Sequence, residues 1–108
     1  MSDQLGSLEQ QVLLAVLRLH PNAYGLSVRE EILKRTDVLH SIGAVYTTLD
    51  RLKAKGFIKQ RKGEETEVRR NRQKLYFVLT APGQTALQVS LRNIGSMLKG
   101  TRLAGALT

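Results

Sequence analysis

The run from Gly43 to Lys55 places Thr47, Thr48, Arg51 and Lys55 behind the two small residues Gly43 and Ala44. Hydroxyls donate, accept or touch a thymine methyl, a guanidinium forks onto guanine, and small residues let a helix approach its target closely. This is the chemistry of hydrogen bonding to base edges, and it makes or breaks no covalent bond. A second set, Arg69, Arg70, Arg72 and Lys74, lies within six residues with no acid between them. Such cations suit phosphate oxygens or a narrow minor groove. Glu64, Glu65 and Glu67 precede them, and phosphate repels acids, so contact is expected from the second half of this segment only. The bland alternatives are a solvated helix face and a solvated charged loop. Against the first, the run from Gly43 to Lys55 contains Asp50 as its single acid, where a solvated face ordinarily mixes Glu with Lys.

The charge balance points the same way. Residues 51–74 hold ten Lys/Arg against three Asp/Glu, a local +7 within a chain of net +8. The sequence pI near 10.3 calls for a polyanionic partner. Concentration in one stretch marks a binding face more than general solubility does.

Other classes find little support. The chain has no cysteine, which removes disulfides and thiolate metal sites. His20 and His40 stand at turns with no second ligand at metal spacing. No nucleophile is paired with a base, and no Gly-rich phosphate loop is present. Glu30 and Glu31 are adjacent, so on a helix they point apart and cannot act as a carboxylate pair. No catalytic residue, metal or cofactor is therefore expected. The N-terminus lacks a signal-like apolar stretch, and the longest apolar run, residues 12–17, is far short of the roughly 20 residues a membrane helix needs. A cytoplasmic protein without membrane association is expected.

The elements that position these residues follow from periodicity. Ser7, with Gln10 three residues on, reads as the cap of a first helix carrying Leu8, Val12, Leu13, Val16 and Leu17 inward; Pro21 stops it. A second helix over about 25–36 places Leu26, Ile32 and Leu33 inward and Arg29, Glu30, Lys34 and Arg35 outward. Ser41 caps a third, with Ile42, Val45, Leu49 and Leu52 inward and Ala44, Thr47, Thr48, Arg51 and Lys55 opposite. Gly56 ends it as a left-handed residue. Residues 57–61 and 75–79 read as strands, and the polar stretch 62–74 between them as a wing. Thr80 caps a final helix with Pro82 in its first turn. On it Leu87, Leu91, Ile94 and Leu98 are spaced i, i+4, i+7, i+11, a narrow seam suited to a homodimer. The expected fold is mainly α with a small β-hairpin: a winged helix-turn-helix over 5–80, a dimerisation helix over 81–99, and a flexible tail over 100–108. Tyr24 and Tyr46 are further candidates, each either touching DNA or serving as a core-edge aromatic.

Three motifs resemble one known family. AYGLSVREEI resembles the second helix of PadR-like transcriptional regulators, SIGAVYTTLDRLKAKGFI their G-x-x-Y-x-x-L-x-x-L-x-x-x-G recognition helix, and RNRQKLYFVLTAPG their wing exit into a last helix. The resemblance covers roughly residues 5–98. It implies a cytoplasmic homodimeric repressor on a roughly palindromic double-stranded operator, a dimer built by the C-terminal helix, and a Tyr46 that approaches the DNA backbone. It departs from the family where Arg70-Asn71-Arg72-Gln73-Lys74 replaces a Gly-Arg-Pro-like turn, and its single C-terminal helix marks a short class. It leaves room for a small-molecule effector that no residue identifies; with no Trp and five Phe/Tyr the chain has no obvious aromatic platform for one. The rivals are a MarR- or ArsR-like winged-helix regulator, and a winged-helix module that binds protein.

Overall fold

The computed structural model describes residues 4–63 and 75–107. The elements run α1 (Ser7–Leu19), α2 (Gly25–Thr36), α3 (Ile42–Ala54), β1 (Ile58–Lys62), β2 (Leu75–Leu79) and α4 (Ala81–Leu98), followed by a short 3-10 turn, Ala104–Leu107. This is the mainly helical winged helix-turn-helix that the periodicities imply.

Helix α1 is the hub, packed against α2, α3, β2 and α4. Val12, Leu13, Ala15 and Val16 are all buried, as an apolar helix covered on more than one side requires. Its cap differs from expectation by one residue. Ser7 is the first helical residue and Gly6 the N-cap, because Glu9 reaches back to accept from the Gly6 N–H at 2.8 Å. The carboxylate also lies in the first turn, where the helix dipole favours it.

In α2 the buried positions are Gly25, Val28 and Ile32. Leu26 and Leu33, expected inward, are exposed: they form a separate i, i+7 stripe to the side of the face that meets α1 and α3. Glu31 joins the first two helices, accepting from Arg18 Nε at 3.1 Å and from Arg35 Nε at 2.5 Å. Those bonds, Arg35 first, outweigh burial and hold its carboxyl below the ordinary value.

Helix α3 ends in a Schellman turn. Gly56 adopts φ +80°, its N–H bonds Lys53 O at 3.0 Å, and the Phe57 N–H bonds Leu52 O at 2.9 Å. The turn delivers Phe57 and Ile58 into the core. β1 therefore starts one residue later than expected and pairs antiparallel with β2, Ile58 opposite Leu79 and Lys62 opposite Leu75. Phe77 adds a bridge to Ala23, donating to its carbonyl at 2.7 Å, so the segment before α2 serves as a one-residue third strand.

Thr80 joins three elements. Its hydroxyl donates to Gly56 O at 2.6 Å and accepts from the Gly83 N–H at 3.1 Å, while its own N–H bonds Phe57 O at 3.0 Å. Helix α4 then buries only Gly83 and Leu87. After α4, Gly100 turns at φ +82° and Leu103 N–H bonds Thr101 Oγ1 at 3.1 Å. Among the described residues, no helix is long and apolar enough to cross a membrane.

Candidate nucleic-acid interface

The candidate site is built on α3. The Ser41 hydroxyl accepts from the Ala44 N–H at 3.0 Å and so fixes where the helix starts. Val45, Thr48, Leu49 and Leu52 point into the core, and that anchor decides what faces out. At 100° per residue the opposite stripe is Gly43, Thr47, Asp50 and Ala54, spaced i, i+4, i+7, i+11, and all four are exposed. Arg51 lies exposed on one flank of the stripe, beside half-buried Ala44; Tyr46 and Lys53 lie exposed on the other. Around Gly43 the space is open, with no atom within 4 Å of where a Cβ would stand.

Thr48 does not belong to this face. It is 5% exposed, and its hydroxyl donates to the carbonyl of Ala44 at 2.8 Å. The physical reason is its place in the i, i+3, i+4, i+7 stripe of Val45, Thr48, Leu49 and Leu52: the carbonyl one turn back satisfies the hydroxyl, so a threonine can be buried there. Lys55 is also turned from the outward stripe, its Nζ donating to Glu9 Oε2 at 2.8 Å. Burial raises the Glu9 carboxyl, but the bonds from Lys55 and Gly6 and the charges of Lys55 and Arg51 prevail, and it stays below its ordinary 4.5. Lys53 is likewise engaged, donating to Gln60 Oε1 at 2.7 Å and so bracing α3 against β1. Thr47 and Arg51 remain exposed, and the Arg51 guanidinium forms no hydrogen bond among the described residues.

Tyr46 is 47% exposed, its ring resting over Gly25 of α2. Tyr24 packs edge-to-face on Tyr76, ring centroids 5.9 Å apart at 76°, with the Arg61 guanidinium 4.6 Å from the Tyr76 ring centre. Arg61 also donates to Pro21 O. Tyr24 thus stands at the base of the hairpin. The wing cations Arg69, Arg70, Arg72 and Lys74 lie outside the described residues. Lys59 and Lys62, on the described part of the hairpin, are exposed; sequence reasoning counted them in the basic stretch without assigning them to the surface beside α3.

On α4 the expected seam divides. Leu91 and Ile94 are exposed at 42% and 47%, Leu98 is half-buried, and Leu87 is 4% exposed within the core. Leu87 is withdrawn from the seam, since it packs into the domain's own core cluster. Val89 at 42% and Met97 at 81% widen the apolar surface; the narrow seam spacing omitted both. Together with Leu5, Phe57 and Ala86 they line a groove of about 1110 Å³ beside α4, where Gln10 Nε2 donates to Ser90 Oγ at 2.5 Å. Among the described residues no three His, Asp or Glu side chains gather as a metal site would require.

Comparison with known proteins gives a consistent result. Residues 13–89 match the family described as the transcriptional regulator PadR-like family. No curated protein matches the chain. Among solved structures, a PadR family transcription regulator from Clostridium difficile is similar at TM-score 0.74 and 19% identity, covering 95% of this chain and 100% of that one. A PadR-like transcription factor from Bacteroides fragilis gives 0.63 and 23%, covering 84% and 85%. RosR of H. salinarum gives 0.71 and 18%, covering 98% and 88%. At these identities the structures speak for the fold.

Proposed function

The chain belongs to the PadR-like family of transcriptional regulators, and we propose that it acts in the cytoplasm as a homodimeric repressor on a pseudo-palindromic double-stranded DNA site. The observation that carries this reading is the outward face of α3. Its inner side is locked into the core by Val45, Thr48, Leu49 and Leu52, while Thr47 and Arg51 stand exposed beside a stretch of net +7. A helix held from behind, with donors and acceptors free in front, suits the major groove. In this reading Ser41, Gly43, Ala44 and Tyr46 line the approach to the backbone, Thr47 and Arg51 meet base edges, and Arg69, Arg70, Arg72 and Lys74 of the wing meet phosphate, while Lys55 is withdrawn to its bond with Glu9. Leu91, Ile94 and Leu98, widened by Val89 and Met97, form the dimer contact.

The test is selection from a random double-stranded pool, followed by mobility shifts at fixed salt. The expected outcome is a two-fold consensus with half-sites about one helical turn, roughly 10 base pairs, apart or a multiple of that. A bound pool with no consensus, and affinity tracking salt alone, would favour the protein-binding module instead.

A further inference from the structure

Asp50 sits at the centre of the exposed stripe Gly43, Thr47, Asp50, Ala54, in the middle of a helix whose neighbours Arg51, Lys53 and Lys55 are all cationic. It does nothing evident for the fold. Aspartate is a poor residue for a helix interior, and position 50 is too far from the N-terminus for the dipole to favour it. Among the described residues, no cation comes within ion-pair distance of its carboxylate. Lys53 is held by Gln60 and Lys55 by Glu9, so both nearby lysines point their charge elsewhere.

On a surface meant for a polyanion, an unpaired acid at the centre works against binding unless it meets a donor. Phosphate offers none, whereas the floor of the major groove does: the N4 amino group of cytosine donates, and a carboxylate is its natural acceptor. Thr47 and Asp50 are one turn apart on the same line, flanked by Gly43 and Ala54, whose small size lets that line descend toward the bases. We infer that Asp50 is a specificity-determining residue that accepts from a cytosine amino group, and that its charge lowers affinity for sequences offering an acceptor or a phosphate at that place. This rests on the DNA-binding reading above.

Two variants test it, Asp50→Ala and Asp50→Asn, each carried through the same random-pool selection as the parent, with affinities measured on the selected site and on random DNA. The expected result for Asp50→Ala is loss of one cytosine from the consensus, tighter binding to random DNA, and a specific-to-random ratio reduced by roughly tenfold. Asp50→Asn should move the preference at that position toward adenine, which an amide can meet through N6 and N7. If the parent selects a consensus and both variants retain it at every position, with affinity rising equally on all DNA, Asp50 only trims the net charge and the inference fails while DNA recognition stands. If the parent selects no consensus, the DNA-binding reading falls and this inference with it.

Discussion

Tyr46 of α3 lies so close over Gly25 of α2 that a methyl group at position 25 would stand 2.6 Å from its hydroxyl oxygen and 2.7 Å from Cε1. The absence of a side chain at 25 is what lets the tyrosine fold back across the helix-turn-helix. The atoms in the way belong to the far end of a side chain that is 47% exposed, so it can swing clear. Gly25→Ala should therefore leave stability within about 1 kcal/mol, since the gain in helix propensity offsets the shift. DNA binding should weaken as it does for Tyr46→Ala, and the double variant should lose no more than either single one. Additive losses would mean that the two residues act independently.

Thr47 and Thr48 are neighbours with opposite fates, and the pair gives a clean comparison. Thr48→Val keeps the buried shape and leaves no orphaned group, because Ala44 O remains inside the helix ladder. Its unfolding free energy should change by less than about 1.5 kcal/mol, with DNA preference unaltered. Thr47→Ala should leave stability within about 0.5 kcal/mol and relax the preference at one base. Arg51→Ala should cost roughly 1 to 3 kcal/mol on the selected site if it forks onto guanine. Equal loss on random DNA would assign Arg51 to phosphate.

The two ends of the leucine row on α4 should also separate. Leu91→Asp with Ile94→Asp should yield folded monomers by sedimentation, since both side chains are exposed. Leu87→Ala should instead lower stability by about 2 to 5 kcal/mol, as core truncations do, with the dimer otherwise intact. A double aspartate variant that remains dimeric would move the contact to another surface.

The Glu9–Lys55 pair sets a pH dependence whose sign is fixed by the direction of the shift. The folded carboxyl lies below 4.5, so its contribution is present above that pH and lost as the pH falls through the lower folded value. Glu9→Gln should remove it: the variant should be less stable than the parent near neutrality, by under about 1 kcal/mol for a partly exposed pair. The two should converge in urea titrations as the pH falls below 4.5 and through the lower folded value. A constant difference across the acid range would mean that the ionised Glu9 carboxylate is not the source of the stabilisation.

The sequence was most legible where one force acts alone. Among the described residues periodicity located the four α-helices, Gly56 marked the end of α3, and Thr80 with Pro82 marked the start of α4, because each depends on local geometry. It misled where a partner decides. Thr48 counts as polar in any pattern, yet a carbonyl one turn back removes the cost of burying it. Leu26 and Leu33 look apolar enough for a core, but the side of α2 that Gly25 and Val28 occupy is the one that meets α3. The Ala23–Phe77 bridge left no pattern at all, since a single paired residue has no period. At the candidate interface the types were readable and the orientation was not: Asp50 registered only as a lone acid until Val45, Leu49 and Leu52 fixed which way the helix faces.

Thr80 turns α4 into a lever. Its hydroxyl and backbone pin the root of an 18-residue rod to the end of α3 and the start of the hairpin, while beyond Leu87 no residue of the rod is fully buried within its own domain. Such a rod spans roughly 27 Å at 1.5 Å per residue, so a tilt of about ten degrees at the root moves its tip by roughly 5 Å. Successive base pairs are about 3.4 Å apart. In the proposed dimer, joined near the tips, the separation of the two α3 helices would therefore be geared to one threonine, and a small adjustment at that joint would change the operator spacing the pair can span without altering any residue proposed to touch a base.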